Sequence, residues 1–566
     1  MKNKTPLVVV GAFLLLIVFL FLFKQNGSIL VTKHSSPAVK LTLEEPILRI
    51  FDPTHNLSDS IPASLQHVGI SLNKSVDDQM QKKLREKFLS GKDIMITIKM
   101  LSEADQNLLQ EVEEGEFDDA LTALCTMISH QKQTVFLRWN PEMEVPVKLY
   151  PWQYQAPSDY IKAFQYFSLF CKKLSPKTLV VWAPAGYPGV EEYWPGSKFV
   201  DVVSVTLDSK SELMTNAYPR DPDIKTAVRR KMHRVRFMQK PTMILGAGAL
   251  GKNPATYKKV DDGLAEIRKD IASIYLTAQI NEDEVQPDYA SSLPVVGVYD
   301  PKELLIGSAS VKAEHMFVNL THIQNGSFEK DFKAVMNRKH DAIVTIEPWR
   351  DQKARKDTNV LLNTINGVYD DEFKEIYRVV SGSVQTVYLR FAHEMEIPIH
   401  RYTWQSQDPV LYIKAFRYFM KFNKAKPDNV KCVWGPAGDR GSMEWWPGSG
   451  VVDYVSIALY GLPDKNITDP TKQESFGTIY NRKFTRIRIA GKPVFVTEFG
   501  VKGPEDYQKQ WMQNAAEVIN NHKEIFGVCY FNLADNPGVW GKIPAPDWGI
   551  NRSTFDQFIQ TLSNPR

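Results

Sequence analysis

One long stretch of this chain is written twice at constant spacing. Residues 135–144 read VFLRWNPEME and residues 387–396 read VYLRFAHEME. WAPAG at 182–186 returns as WGPAG at 434–438, YWPGSKFVD at 193–201 as WWPGSGVVD at 445–453, and KPTMILGAG at 240–248 as KPVFVTEFG at 492–500. Arg138 and Arg390, Asp201 and Asp453, and Lys240 and Lys492 are each 252 residues apart. A repeat of that length is a whole domain copied, so the chain must fold as two units of one architecture. The copies differ at one telling place: where the second has Glu498, the first has Gly246.

The length of 566 residues suits two large domains. Each repeat spans roughly 240 residues, the size of an eight-fold β/α barrel. A net charge of +4 with Lys and Arg scattered along the chain gives no basic tract for nucleic acid. The four cysteines, Cys125, Cys171, Cys432 and Cys529, have no metal-ligand spacing and read as buried free thiols. Residues 6–23 form an uncharged apolar run about one bilayer thick, flanked by Lys2, Lys4 and Lys24. With no small-residue cleavage site at its end, it reads as a retained signal anchor. Residues 24–45 then form a tether, which places both units on the extracytoplasmic side of a single-pass membrane protein.

Short apolar runs recur between helix-length stretches. In the second copy they fall near 295–300, 315–321, 341–348, 386–394, 430–438, 452–461, 493–500 and 526–534. Runs such as VYLRFA lack strict polar alternation, as strands covered on both faces do. Between them lie amphipathic patterns such as YIKAFRYFMKF at 412–422. Eight alternating units predict a parallel barrel. The first copy repeats the plan at 47–52, 67–73, 93–99, 135–142, 179–186, 200–207, 241–248 and 272–278, with a short polar tail in place of a last helix. The expected fold is therefore α/β: two tandem (β/α)8 barrels, 46–280 and 294–566, joined by a linker at 281–293 and preceded by one transmembrane helix.

Reactive groups in such barrels sit at the carboxyl ends of the strands. In the second copy those ends carry Glu394, Tyr460 and Glu498. Two carboxyls on one rim are what cleavage of a glycosidic bond needs, one protonated to give a proton to the leaving oxygen and one ionised to attack. RFAHEM at 390–395, WGPAG, WWPG, VDYVSIALY and KPVFVTEFG together resemble glycoside hydrolase family 26 across essentially all of the second copy. The resemblance implies Glu394 as acid/base, Glu498 as nucleophile, His393 as the active-site histidine and Tyr460 as the tyrosine that hydrogen-bonds the nucleophile. It implies a retaining mechanism with no metal or cofactor, acting on β-mannan, β-glucan or β-1,3-xylan. Glu396-Ile397-Pro398 departs from the Asn-Gly that often follows His-Glu-Met in that family.

Aromatic rings can stack on sugars. Trp349, Trp404, Trp434, Trp540 and Trp548 fall at or after strand ends. Trp404 and Trp434 have partners in Trp152 and Trp182, which points to packing, whereas Trp349 faces Leu101 and Trp540 lies in a loop missing from the first copy. Glu347, opposite Lys99, is a candidate for binding a hydroxyl, and Arg390, matched by Arg138, for either the site or the strand-four rim. The first copy keeps Glu142 but has Pro141 for His393, Asp208 for Tyr460 and Gly246 for Glu498, so it is expected to be inactive. The chain then reads as a membrane-anchored endo-acting glycosidase active in its second barrel, with a polysaccharide synthase or export system as a further partner. The competing reading is a non-catalytic carbohydrate-binding or scaffold protein.

Overall fold

The computed structural model describes residues 42–53, 65–101, 107–215, 221–278, 280, 293–350, 359–398, 401–462, 473–537 and 544–564. The apolar run 6–23, most of the tether and most of the linker 281–293 lie outside them. Among the described residues no helix is long and apolar enough to cross a membrane.

The first unit contributes β1 (Thr42–Leu43), β2 (Ile47–Phe51), β3 (Gln66–Leu72), β4 (Ile94–Met100), β5 (Val135–Trp139), β6 (Leu179–Trp182), β7 (Val202–Leu207) and β8 (Thr242–Gly246). The second contributes β9 (Val295–Tyr299), β10 (Ala313–Asn319), β11 (Asp341–Glu347), β12 (Val387–Phe391), β13 (Val430–Trp434), β14 (Tyr454–Tyr460), β15 (Val494–Gly500) and β16 (Ile525–Phe531). Strands β9 to β16 close into an eight-stranded barrel in which every pairing is parallel. Its lower interior is filled by Ala313, Ile343, Tyr388, Val433, Phe495 and Cys529, all buried, so the barrel is a packed core and only the carboxyl-end mouth is available for chemistry. The surrounding helices follow from their patterns. Pro409–Met420, for example, is capped by the Asp408 carboxylate, which accepts from the amides of Val410 and Leu411, and it buries Tyr412, Ile413, Phe416, Phe419 and Met420 against the barrel.

The first unit departs from the expected closed parallel barrel. Residues 272–278 form no eighth strand: Ile271–Tyr275 is a π-helical turn running on from the helix Pro254–Lys269. No Gly or Pro intervenes to break that helix, and apolar composition alone does not make a strand. The strand expected at 47–52 exists as β2 but runs antiparallel to β8. The tether does not end at residue 45 either, since β1 pairs antiparallel with β3. Both edges of the eight-stranded sheet, ordered β1-β3-β4-β5-β6-β7-β8-β2, therefore belong to one continuous segment, 42–51. That segment satisfies backbone groups on β3 and β8 that loss of the eighth strand would leave open, including Glu44 N–H to His67 O and Gly246 N–H to Pro46 O.

The same segment fills the mouth of the first unit. Leu48 is fully buried, and a Cβ placed on Gly246 would lie 2.8 Å from Leu48 Cδ1. Lys99 forms an ion pair with Glu44 at 3.1 Å. The position equivalent to Glu498 is thus occupied by an aliphatic side chain from the N-terminal segment. Gly246→Glu is expected to destabilise the first unit by about 1–3 kcal/mol through overpacking, with Leu48→Ala relieving part of that loss. Urea unfolding of the two single variants and the double variant checks this; strictly additive losses would contradict the contact.

Candidate active site

Arg390 lies within β12, wholly buried, and its Nη1 donates to Glu498 Oε1 on β15 at 2.5 Å. Tyr460, at the end of β14, donates its hydroxyl to Glu498 Oε2 at 3.0 Å. Both oxygens of one buried carboxylate are therefore held by donors, one of them cationic. Burial pushes this carboxyl up, but the Arg390 guanidinium overrides it and holds Glu498 at about 2.

Glu394 follows the end of β12 with φ 52, in the left-handed region, and its amide donates to Gly435 O at 2.7 Å. Glu142 of the first unit has φ 64 and the same amide bond, to Ala183 O at 2.8 Å. Such a conformation costs a non-glycine residue roughly 1–3 kcal/mol, and its presence in both units makes it a property of this strand end. Burial, and then the negative charge of Glu498, raise the Glu394 carboxyl to about 7. The pKa values of two neighbouring carboxyls are thus driven apart, so that at neutral pH Glu498 is ionised while Glu394 still holds its proton about half of the time.

Glu347, at the end of β11, joins this pair. It is buried, and burial raises it to about 7 against the pull of Arg401, with Glu498 and Glu394 adding to the rise. His393 is buried, and burial followed by the Arg390 charge depresses its pKa well below the usual value, so its ring is neutral at pH 7. His315 beneath it is held by Thr345 Oγ1 at 2.8 Å, and burial lowers it to about 4.

Trp349, Trp404, Trp434 and Trp548 are all buried. Trp404 and Trp434 are fully buried. Trp404 donates to the His393 carbonyl at 2.7 Å and stacks on Tyr402 at 4.6 Å. Trp152 does the same in the first unit, donating to Pro141 O at 2.8 Å and stacking on Tyr150 at 4.8 Å. Trp349 is 4% exposed, packed on Tyr402 and Trp404, and Trp548 is 1% exposed, lying 4.7 Å from Tyr460. Trp540 lies outside the described residues. Among the described residues, the partly exposed rings at the mouth include Tyr299, Phe317, Phe531 and Tyr460, with Tyr299 and Phe531 stacked at 4.7 Å and Phe317 5.3 Å from Tyr299. Tyr299, Phe317, Phe531 and Arg401 escaped the sequence reading. Comparison of the copies holds the signal: Leu149 stands opposite Arg401 and Gly69 opposite Phe317.

Glu396 is turned to the following loop. Its carboxylate accepts from the amides of Gly438 and Asp439 and from Ser442 Oγ, at 3.0, 3.3 and 2.6 Å. Glu144 binds the amides of Gly186 and Tyr187 in the same way, so this is loop architecture common to both units.

No family model matches the chain. It is 26% identical to a β-1,3-xylanase of Vibrio sp. over 235 residues, covering 36% of this chain and 49% of the relative. It is 23% identical to a β-1,3-xylanase of Alcaligenes sp. over 233 residues, covering 36% and 48%. The chain thus spans about half the length of the curated relatives it matches. Among solved structures, GH26C from Muricauda sp. aligns over 48% of this chain and 86% of its own at 13% identity and a TM-score of 0.35. A hyperthermostable endo-1,4-β-D-mannanase from Thermotoga petrophila aligns over 45% and 92% at 9% identity and a TM-score of 0.32.

Glu498→Gln removes a negative charge beside Glu394 and leaves its burial in place. The Glu394 midpoint is expected to move down from about 7. Carboxyl NMR of the labelled protein reads the shift, and an unchanged midpoint would contradict the coupling.

Proposed function

We propose that this chain is an endo-acting β-glycoside hydrolase of polysaccharides, with its chemistry in the second unit. The observation that carries this reading is the carboxyl pair: Glu498 held ionised by Arg390 and Tyr460, beside Glu394, whose carboxyl is raised to about 7. Glu498 attacks the anomeric carbon while Glu394 gives its proton to the glycosidic oxygen, and the bond to the leaving sugar breaks. A glycosyl ester on Glu498 remains. Glu394, now a carboxylate, takes a proton from water, the resulting nucleophile attacks the anomeric carbon, and Glu498 is released. The stereochemical outcome is retention.

Tyr460 orients the nucleophile, and neutral His393 lines the site without adding a second cation to compete with Arg390 for Glu498. Glu347, protonated for much of the time near pH 7, is placed to bind a sugar hydroxyl. Tyr299, Phe317 and Phe531 supply the stacking faces that the buried tryptophans do not. The two curated relatives are named β-1,3-xylanases, which makes β-1,3-xylan the first substrate to test, ahead of β-mannan and β-glucan. The run 6–23 anchors the enzyme in a membrane with both units outside the cytoplasm, where it trims a polysaccharide, with a synthase or export system as its partner.

The test compares wild type and Glu498→Ala on a panel of these glycans by released reducing ends. Loss of the nucleophile is expected to cost about four orders of magnitude or more in rate. Equal release by both would sink the nucleophile assignment, and no release from any glycan by wild type would favour the carbohydrate-binding reading. The pH profile gives a second check. The first step needs Glu394 protonated, so kcat/KM is expected to fall as pH rises through about 7, while the limb set by Glu498 lies near 2. A rate that climbs through pH 7 would contradict the assignment.

A further inference from the structure

The first unit reaches the second through a buried cluster of charges. Its helix Ile224–Arg234 and the following turn Arg236–Met238 lie against the turn Ser442–Trp445 of the second unit. Arg234 Nε donates to Glu444 Oε2 at 3.1 Å, and Arg230 Nε stands 3.4 Å from Oε1. His233 Nε2 lies 2.7 Å from the Glu444 carbonyl, and Arg236 Nη2 reaches the carbonyls of Met443, Glu444 and Trp446 at 3.3, 3.4 and 3.3 Å. Glu444 is 3% exposed yet ionised: burial pushes its carboxyl up, and the guanidiniums of Arg234 and Arg230 bring it below the usual value. A buried carboxylate of this kind needs its cations, and removing them strands a charge.

The loop held in this way is the one that supports Glu394. Glu394 donates its amide to Gly435 O, at the start of the loop, at 2.7 Å. Glu396, two residues further on, binds the loop at Gly438, Asp439 and Ser442. Trp446, whose carbonyl Arg236 holds, packs edge-on against Trp434 at the end of β13, 5.1 Å between ring centres. An unbroken path of hydrogen bonds and packed rings therefore runs from the guanidiniums of the first unit, through Glu444 and residues 435–446, to the backbone on either side of Glu394. The contact is reciprocal in form, with Arg486 Nε 3.9 Å from Glu192 Oε1, and each of these residues stands 252 positions from its counterpart in the Arg234–Glu444 pair. Its consequence is one-sided, because the mouth of the first unit is filled by Leu48.

We propose that the first unit is a brace for the second, and that Glu444, Arg234 and Arg230 are positioning residues that fix the acid/base carboxyl through the loop 435–446. The catalytic part of this proposal rests on the reading of Glu394 as acid/base. It gives the inactive copy a task at the site of its neighbour.

The test uses the full chain with Glu444→Gln and Arg234→Met, and with Arg230→Met as a milder change that leaves the Arg234 contact intact. Hydrogen exchange is followed in peptides covering 390–398 and 435–446. Activity is measured as kcat/KM on the polysaccharide and on a dinitrophenyl glycoside, whose leaving group departs without a proton from the enzyme. The expected result is exchange about tenfold faster in both peptides, kcat/KM on the polysaccharide down by about tenfold or more, and kcat/KM on the dinitrophenyl glycoside within about twofold of wild type. Arg230→Met is expected to change the same quantities in the same direction by less. Faster exchange confined to 435–446, or equal losses on the two substrates, would overturn the brace. If wild type cleaves neither substrate, the reading of Glu394 falls while the exchange data still decide whether the first unit holds residues 390–398 in place.

Discussion

The contact between Arg390 and Glu498 is the interaction on which the site depends. A guanidinium fully enclosed in a barrel needs acceptors, and breaking a buried ion pair by removing one partner costs about 3–5 kcal/mol. In the second unit the carboxylate of Glu498 accepts from that guanidinium at 2.5 Å and thereby remains ionised although buried. Burial raises Glu394 and Glu347, and the ionised carboxylate adds to the rise of both. One cation placed on the fourth strand of the barrel thus keeps one of three buried carboxyls ionised, while burial holds the other two near 7.

The first unit shows what the fold does when that carboxylate is lost. Arg138 keeps its buried place and is satisfied by hydroxyls, Ser204 Oγ at 3.1 Å, Thr206 Oγ1 at 3.1 Å and Thr97 Oγ1 at 3.3 Å. Ala458 stands opposite Thr206 in the second unit, so a hydroxyl appears where the carboxylate has gone. The vacated space is taken by Leu48, and the missing eighth strand is replaced by the antiparallel segment that carries it. Arginine, hydroxyl and leucine together make the mouth of the first unit a packed one.

Much of this was legible in the sequence, and the failures have physical causes. The parallel strands of the second unit were visible because a strand buried on both faces writes a short apolar run, as β12 does with VYLRF. The carboxyl pair was visible because each glutamate sits in a motif repeated with a loss. Strand direction in the first unit was hidden, since ILRIF reads the same whether it pairs parallel to its neighbour or antiparallel. Trp349 misled because a position at a strand end does not say whether a ring turns into the wall or into the mouth; Trp349 turns into the wall and Phe317 remains partly exposed. A match between the copies does not decide the part played by Arg390. Its partner Arg138 has the same backbone place, and only the acceptor in front of it differs.

On the proposed function, one of two similar units is chemically competent and Glu498 is its nucleophile. Trapping with an activated 2-deoxy-2-fluoro glycoside tests it most directly, because the fluorine slows release of the ester formed in the first step. Peptide mass spectrometry of the full chain is predicted to find a single label, on Glu498, absent from Glu498→Gln. A label on Glu142, or one in each unit, would contradict the account.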